Sequence, residues 1–211
     1  MINLEFKTER KDVARFMRRL YKKDLTTTSG GNISIRVADE IIAITPSATD
    51  KGKMKWKEVG LITMEGENLT PSLKPSMETF MHLAIYRRKS DIKAIVHAHP
   101  VFATAFTAMK SVINTNLTAE ARAICGGPVF VPYALMGTSE LAILAAEYIE
   151  KGCILLLENH GILAIGKNLI EAFDRIEVLE NAAKMTLIVE FAGNKSELDR
   201  SKILQIDKLF K

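Results

Sequence analysis

The stretch Ala94-Ile-Val-His-Ala-His-Pro100 organises the reading of the chain. It reads as a buried strand that ends in two histidines. Residues two apart on a strand share a face. His97 and His99 therefore project together, while Ala98 points the other way. Two neutral imidazoles on one face can hold one divalent metal through ring nitrogens. Pro100 stops the strand and fixes the turn. Two histidines that are merely close neighbours in a core or on a surface would give the same letters, so the rest of the chain must decide.

Outward from this stretch, strand and helix signals alternate. Upstream, Val13, Phe16, Met17 and Leu20 lie at helical spacing within 8–23, with Thr8 placed to cap the start. Thr26-Thr-Thr-Ser-Gly-Gly-Asn32 breaks that pattern. Residues 33–36 and 41–44 read as a hairpin, and 61–64 with Leu69 as another. A helix is expected over 76–88, started by Pro75 and Ser76, and the strand over 92–97 follows it. Downstream, helices are expected over 101–109, 139–150 and 169–191, and strands over 129–132, 153–157 and 162–165. Gly193-Asn194 ends the longest helix, and a short helix is expected within the tail, 194–211. No linker, repeat or low-complexity segment interrupts the chain. The expectation is a single α/β domain over 1–211, with strands in the middle and helices on both sides.

Composition narrows the function. Hydrophobic residues make up 47% and charged residues 26% of the 211, an ordinary globular balance. A net charge of +4 without a dense Lys/Arg block suits a small anionic substrate and argues against nucleic acid. The polar opening stretch is not a signal peptide, and no apolar run is long enough to span a bilayer, so no membrane partner is expected. Cys125 and Cys153 lack a CxxC pattern. Free thiols are expected, and with them a reducing, cytoplasmic location, although a disulfide also fits the spacing.

Three of the four histidines fall at strand ends or turns: His97, His99 and His160. A catalytic zinc site commonly uses three protein ligands and keeps a position open. Two close histidines and one distant one fit that count, although His160 in Asn159-His-Gly161 also reads as an ordinary turn residue. His82 follows Glu78 by one helical turn and reads as structural or supporting. Glu78 is expected in the first turn of its helix, where a carboxylate suits the dipole. Beside a metal it becomes a fourth ligand or a general base. Gly30-Gly31-Asn32, Ser47-Ala48 and Ser76 offer backbone amides and short hydroxyls of the kind that bind phosphate, or are simply turns.

Taken in order, Ser29-Gly-Gly-Asn-Ile-Ser-Ile-Arg36, Ile44-Thr-Pro-Ser47, Pro75-Ser-Met-Glu78 with His82-Leu-Ala-Ile-Tyr86, the His97–Pro100 turn, Pro132-Tyr-Ala134 with Gly137-Thr138, and Glu158-Asn-His-Gly161 resemble the class II aldolase/adducin family over residues 8 to 192. The resemblance implies a three-layer α/β/α fold with a central, mainly antiparallel sheet. It implies a homotetramer with active sites between subunits. It implies zinc, or another divalent transition metal, on His97, His99, His160 and Glu78, with Glu78 also the acid/base. It places Gly31, Asn32, Ser47, Ala48 and Ser76 at the phosphate. The implied reaction cleaves a sugar phosphate, a ketose 1-phosphate such as L-fuculose 1-phosphate, into dihydroxyacetone phosphate and an aldehyde, L-lactaldehyde in that case.

Departures from the family pattern also carry expectations. Met77 stands where sugar-phosphate aldolases of the family carry a second serine, and Ala48 stands at a glycine position. Glu120 falls near an acid/base tyrosine of the family, at a point where other superfamily members use a carboxylate, and reads either as the proton donor to the aldehyde oxygen or as a surface helix residue. A C-terminal tyrosine has no counterpart. The competing expectations are a methylthioribulose-1-phosphate dehydratase or a ribulose-phosphate 4-epimerase of the same superfamily, both disfavoured by Glu78. An adducin-like interaction domain is disfavoured because all three histidines are present.

Overall fold

The computed structural model describes residues 6–210. Residues 1–5, part of the polar opening stretch, and residue 211, the end of the tail, lie outside the description. The strands are β1 (Asn32–Ala38), β2 (Ile41–Ile44), β3 (Gly60–Thr63), β4 (Ala94–Ala98), β5 (Val129–Val131), β6 (Ile154–Leu157) and β7 (Gly161–Gly166). They form one sheet in the order β3-β2-β1-β4-β7-β6-β5. Every pairing is antiparallel except β5 with β6. A parallel pair needs a crossover rather than a hairpin, and helix α5 (Ser139–Tyr148) makes it.

The remaining helices are α1 (Lys7–Lys22), α2 (Thr79–Arg88), α3 (Val101–Met109), α4 (Ala119–Cys125), α6 (Leu169–Ala192) and α7 (Arg200–Phe210). Strand alternation divides the core into two. Ile33, Ala94, Val96, Ala98 and Ile162 pack with Val13, Phe16 and Leu20 of α1 and with Phe173, Ile176 and Leu179 of α6. Ile42, Ile95, Leu155, Leu163 and Ile165 face the other way, against Leu83 and Tyr86 of α2 and Leu141 and Ala145 of α5. Each fully buried aliphatic or aromatic side chain contributes roughly 1.5–3 kcal/mol, so both helical layers are firmly held. β4 is central and buried on both faces, which accounts for its nearly continuous apolar run.

Several local expectations need correction. Thr8 does not cap α1: the helix starts at Lys7 after Phe6, so Thr8 lies inside the first turn. The second hairpin forms with a short return arm: the Leu69 amide donates to the Leu61 carbonyl and the Thr63 amide to the Glu67 carbonyl, both at 2.9 Å, around an antiparallel bridge between Ile62 and Asn68. The Asn68 side chain then bonds the Thr70 amide and the Leu73 carbonyl and turns the chain away. Helix α2 begins at Thr79, which makes Glu78 its N-cap rather than a first-turn residue. Cys125 and Cys153 are free thiols, and no helix among the described residues is long and apolar enough to cross a membrane.

Helix α3 starts directly after the His99-Pro100 turn and has no side-chain cap of its own. Glu180 of α6, 4% exposed, accepts the Phe102 amide at 3.2 Å and the Ala103 amide at 2.8 Å. A carboxylate there satisfies orphan amides and complements the helix dipole. It also fixes the chain just beyond the two histidines. Glu180→Ala is expected to cost about 1.5–3 kcal/mol, the range for hydrogen bonds to a charged group. A melting-temperature drop of roughly 3–10 °C would register it; an unchanged melting curve would show that the bond does not hold the turn.

Candidate active site

The register of the sheet places the first groups. Asn32 of β1 lies opposite His97 of β4, and directly opposed residues share a face. That face looks toward α2. β1 offers Asn32, Ser34 and Arg36, two apart, while the helix and its cap offer Glu78, His82 and Tyr86, four apart. The two periods interlock. Asn32 Nδ2 donates to Glu78 Oε2 at 2.7 Å. Ser34 Oγ bonds His82 Nδ1 at 2.6 Å and the Tyr86 hydroxyl at 3.0 Å. The Arg36 guanidinium donates to the Tyr86 carbonyl at 2.9 Å. His82 is thus a buried structural residue, and burial pushes its pKa down to about 3.

His97 is completely buried, with Nδ1 3.0 Å from the Ile162 carbonyl. A carbonyl only accepts, so this bond assigns the ring proton to Nδ1 and leaves Nε2 bare. His99 follows the strand end. Its amide donates to the Leu25 carbonyl at 3.0 Å, and its Nε2 lies 3.0 Å from His97 Nε2. His160 comes from the turn between β6 and β7, where Asn159 has φ 51° and the His160 amide returns to the Leu157 carbonyl at 3.1 Å. Glu158 anchors that turn outside by accepting the Tyr133 amide and pairing with Lys110 at 2.7 Å. One nitrogen from each of His97, His99 and His160 falls within 4.8 Å of the others. Glu78 closes the group, with Oε2 3.2 Å from His97 Nε2 and Oε1 3.2 Å from His160 Nε2.

Burial, then the neighbouring imidazoles, hold His97 well below the usual histidine range. The same causes bring His99 to about 4, and burial lowers His160. Burial raises the Glu78 carboxyl, against the opposing pull of the Asn32 amide. At neutral pH the three rings are therefore uncharged and present lone pairs. Glu78 Oε1 is buried without a hydrogen-bond partner. Three nitrogens and a carboxylate converging with no cation side chain among them make a donor set that fits a divalent transition metal.

Beside the histidines is a cavity of about 340 Å³, lined by Gly31, Asn32, Ser47, Ala48, Ser76, Glu78, His99 and His160 among others. All the residues expected at metal and phosphate therefore border one space, apart from the fully buried His97 behind it. The loops are stitched together: the Ser47 amide donates to the Lys74 carbonyl at 3.1 Å, and Ser47 Oγ accepts the Met77 amide at 3.1 Å. Gly31 and Ala48 take left-handed backbone, φ 65° and 53°, which is why a glycine would suit position 48. Two features had no signal in the sequence. One is that the Asn32 amide holds the carboxylate. The other is Lys51, a loop lysine that lies buried against the cavity. Glu120 is not among the cavity residues; it is exposed in the first turn of α4.

A family model described as the class II aldolase and adducin N-terminal domain matches residues 11–187. The L-fuculose phosphate aldolase of Methanocaldococcus jannaschii is 33% identical, over 85% of this chain and 96% of its own. A 5-deoxy-D-ribulose 1-phosphate aldolase of Bacillus thuringiensis is 31% identical, over 96% of this chain and 95% of its own. A 3-oxo-tetronate 4-phosphate decarboxylase of Haemophilus influenzae is also 31% identical, over 80% of this chain and 81% of its own. Among solved structures, an L-fuculose 1-phosphate aldolase superposes with a TM-score of 0.88 at 31% identity, covering 96% of each chain.

Gly161 tests how tightly the imidazoles are set. A Cβ there would overlap His99 Cδ2 and come within 2.7 Å of the Ala98 carbonyl. Gly161→Ala must shift the His99 ring or the strand end. Chelator competition is expected to show metal affinity lowered by roughly 10–100-fold, as when groups that orient ligands are disturbed. Affinity within twofold of the parent would mean the contact does not set the ring.

Proposed function

The chain belongs to the class II aldolase and adducin family, and from that membership and its site we propose that it cleaves a ketose 1-phosphate to dihydroxyacetone phosphate and an aldehyde, with zinc as the metal. It is an enzyme of the lyase class, in a family of metal-dependent aldolases. The observation that carries the finer reading is Glu78, a buried carboxylate set 3.2 Å from two of the clustered histidines. Such a group can sit in the histidine cluster at rest and move a proton when displaced.

The metal, held by His97, His99 and His160, supplies Lewis-acid polarisation of the substrate carbonyl. The chain's own groups supply position and protons. Gly31, Asn32, Ser47, Ala48 and Ser76 receive the phosphate end. A base takes the C4 hydroxyl proton, the C3–C4 bond breaks, and its electron pair passes toward C2. Glu78 then delivers a proton to C3, and burial favours the protonated carboxyl that this step needs. Glu120 of a neighbouring subunit is the proposed C4 base, in keeping with a cavity that, among the described residues of one chain, is lined by Glu78 as its single carboxylate. Exposed Met77, Phe80 and Met136 support a neighbour over this face, Met77 and Met136 lining the cavity itself. The expected assembly is a homotetramer, and the expected location is the cytoplasm.

A second reading draws on the decarboxylase relatives. Loss of carbon dioxide from a 3-oxo sugar-acid phosphate also leaves an electron pair beside a carbonyl and needs one proton donor. Glu78 alone could serve it, and Glu120 would have no part.

Metal-loaded protein assayed with dihydroxyacetone phosphate and L-lactaldehyde, glycolaldehyde or acetaldehyde separates the two. Carbon–carbon bond formation with at least one aldehyde is expected. Release of carbon dioxide from 3-oxo-tetronate 4-phosphate without aldol turnover would transfer the assignment to the decarboxylase. Glu78→Gln is expected to lose about 10²–10⁴-fold in turnover, the usual contribution of a positioned acid/base. Glu120→Gln is expected to lose aldol turnover by a similar factor while exchange of the C3 proton of dihydroxyacetone phosphate continues. Loss of both by Glu120→Gln would assign it a structural role. Elemental analysis tests zinc, and light scattering on the eluting protein tests the tetramer: a monomer of full activity would remove Glu120 from the site.

A further inference from the structure

Lys51 is an anomaly for a lysine in a surface loop: it is 1% exposed. Its amide donates to the Thr28 carbonyl at 2.9 Å, and its Nζ donates to the Pro46 carbonyl at 2.6 Å. The residue is therefore wedged between the 26–31 loop and the 45–48 loop, two segments that border the cavity together with Ser76. An ammonium carries three N–H donors, and among the described residues only one has a protein acceptor, the Pro46 carbonyl. No carboxylate among the described residues lies within ion-pair distance of it. A buried charge without a partner opposes folding, and an apolar side chain of that length would be the more stable choice. The charge thus needs a partner that arrives from outside.

We propose that Lys51 is a phosphate-binding residue, whose ammonium pairs with the dianionic phosphate of a phosphomonoester lodged against Gly31, Ser47 and Ala48. The inference rests on the sugar-phosphate reading above and extends it to a residue that reading does not use. A lysine in this place also answers a local deficit. Met77 has no hydroxyl to offer the phosphate, and its side chain is 62% exposed at the rim. Lys74 adds a second, exposed cation on the same side of the cavity. Glu78, at the histidine end, is the only carboxylate bordering the cavity among the described residues. The space is thereby polarised, with cations and amides at one end and neutral imidazoles with a carboxylate at the other.

Burial lowers the Lys51 pKa to about 8. The free protein then holds the ammonium at neutral pH and loses it just above, and a bound dianion would restore it. The titratable and charged groups around it are Asp50 and Lys53 on its own turn, Tyr21 packed on Gly52, Lys74 against the 45–48 loop, and Glu78, His99 and His160 at the histidine end of the cavity. Asp50 is occupied by the Gly52 amide and by Lys53.

The test is calorimetric binding of glycerol 1-phosphate, with glycerol as the uncharged comparison, to metal-loaded protein between pH 7 and 10. The phosphate is already dianionic over this range. Wild-type protein is expected to bind the phosphomonoester and not glycerol, and to weaken steadily above pH 8. Lys51→Met removes the charge. Lys51→Gln removes it too but keeps an N–H for the Pro46 carbonyl, so it serves if the methionine variant does not fold. Each is expected to bind roughly 10- to 150-fold more weakly at pH 7, the loss of hydrogen bonds to a charged group. The ratio of wild-type to variant affinity should shrink toward one as pH rises, which a purely structural lysine would not produce. A ratio near one at pH 7, a ratio that stays constant to pH 10, or wild-type affinity unchanged across the range overturns the proposal. Aldol turnover is measured separately: its absence with intact phosphate binding would remove the reaction assigned above and leave Lys51 in place.

Discussion

The seam between β1 and α2 is the contact on which the site depends. A strand repeats every two residues and a helix every three to four, so a run of specific bonds between them requires matched spacing. Asn32, Ser34 and Arg36 meet Glu78, His82 and Tyr86 in that way. These are polar groups in a buried layer, where an unmet partner is expensive and a complete set enforces one alignment. The seam is therefore a ruler. It fixes how far α2 can slide along the sheet, and with that the depth at which Glu78 enters the histidine cluster.

Electrostatics then separates the two ends of the cavity. Close packing of three imidazoles makes each harder to protonate, and burial adds to the effect. That end suits a cation, which no side chain among the described residues provides. At the far end the Lys51 ammonium carries more N–H donors than the one it gives the Pro46 carbonyl. A molecule carrying phosphate at one terminus and a carbonyl a few bonds away would span both, in keeping with the sugar-phosphate aldolases among the relatives.

The layered fold could be read from the sequence because it rests on periodicity. The β1–β2 hairpin, the apolar β4, helix α3 and the long α6 with Gly193 at its end emerge close to where their residues suggest. His97 and His99 were legible for the same reason: a two-residue spacing on a strand is a statement about direction. What was not legible depended on distant partners. Glu180 caps a helix some eighty residues away in sequence, and no local pattern announces it. Helix α4 is short and is held by α6 and by the Arg122–Asp207 pair to α7, so its own seven residues carried little signal. Asn32 reads as a small polar loop-end residue until its amide is seen on Glu78. Lys51 reads as solvent-facing, since lysines in loops almost always are. Glu120 remains a matter of assembly, because one chain places it away from the cavity.

The strand order has a consequence for how the protein comes to exist. β3, β2 and β1 are neighbours in sequence and in space, as are β7 and β6. Such local pairs close short loops and form readily. The joins that matter for chemistry are the others: Asn32 must find His97, and His97 must find Leu163. Both require long stretches of chain to be drawn together before any contact repays the lost entropy. Asn32, His97 and His160 accordingly meet where the sheet is closed by long-range pairing. The donor set that suits a metal is thus complete only when β4 is paired on both sides, so the site depends on the longest-range pairings of the sheet rather than on any local element.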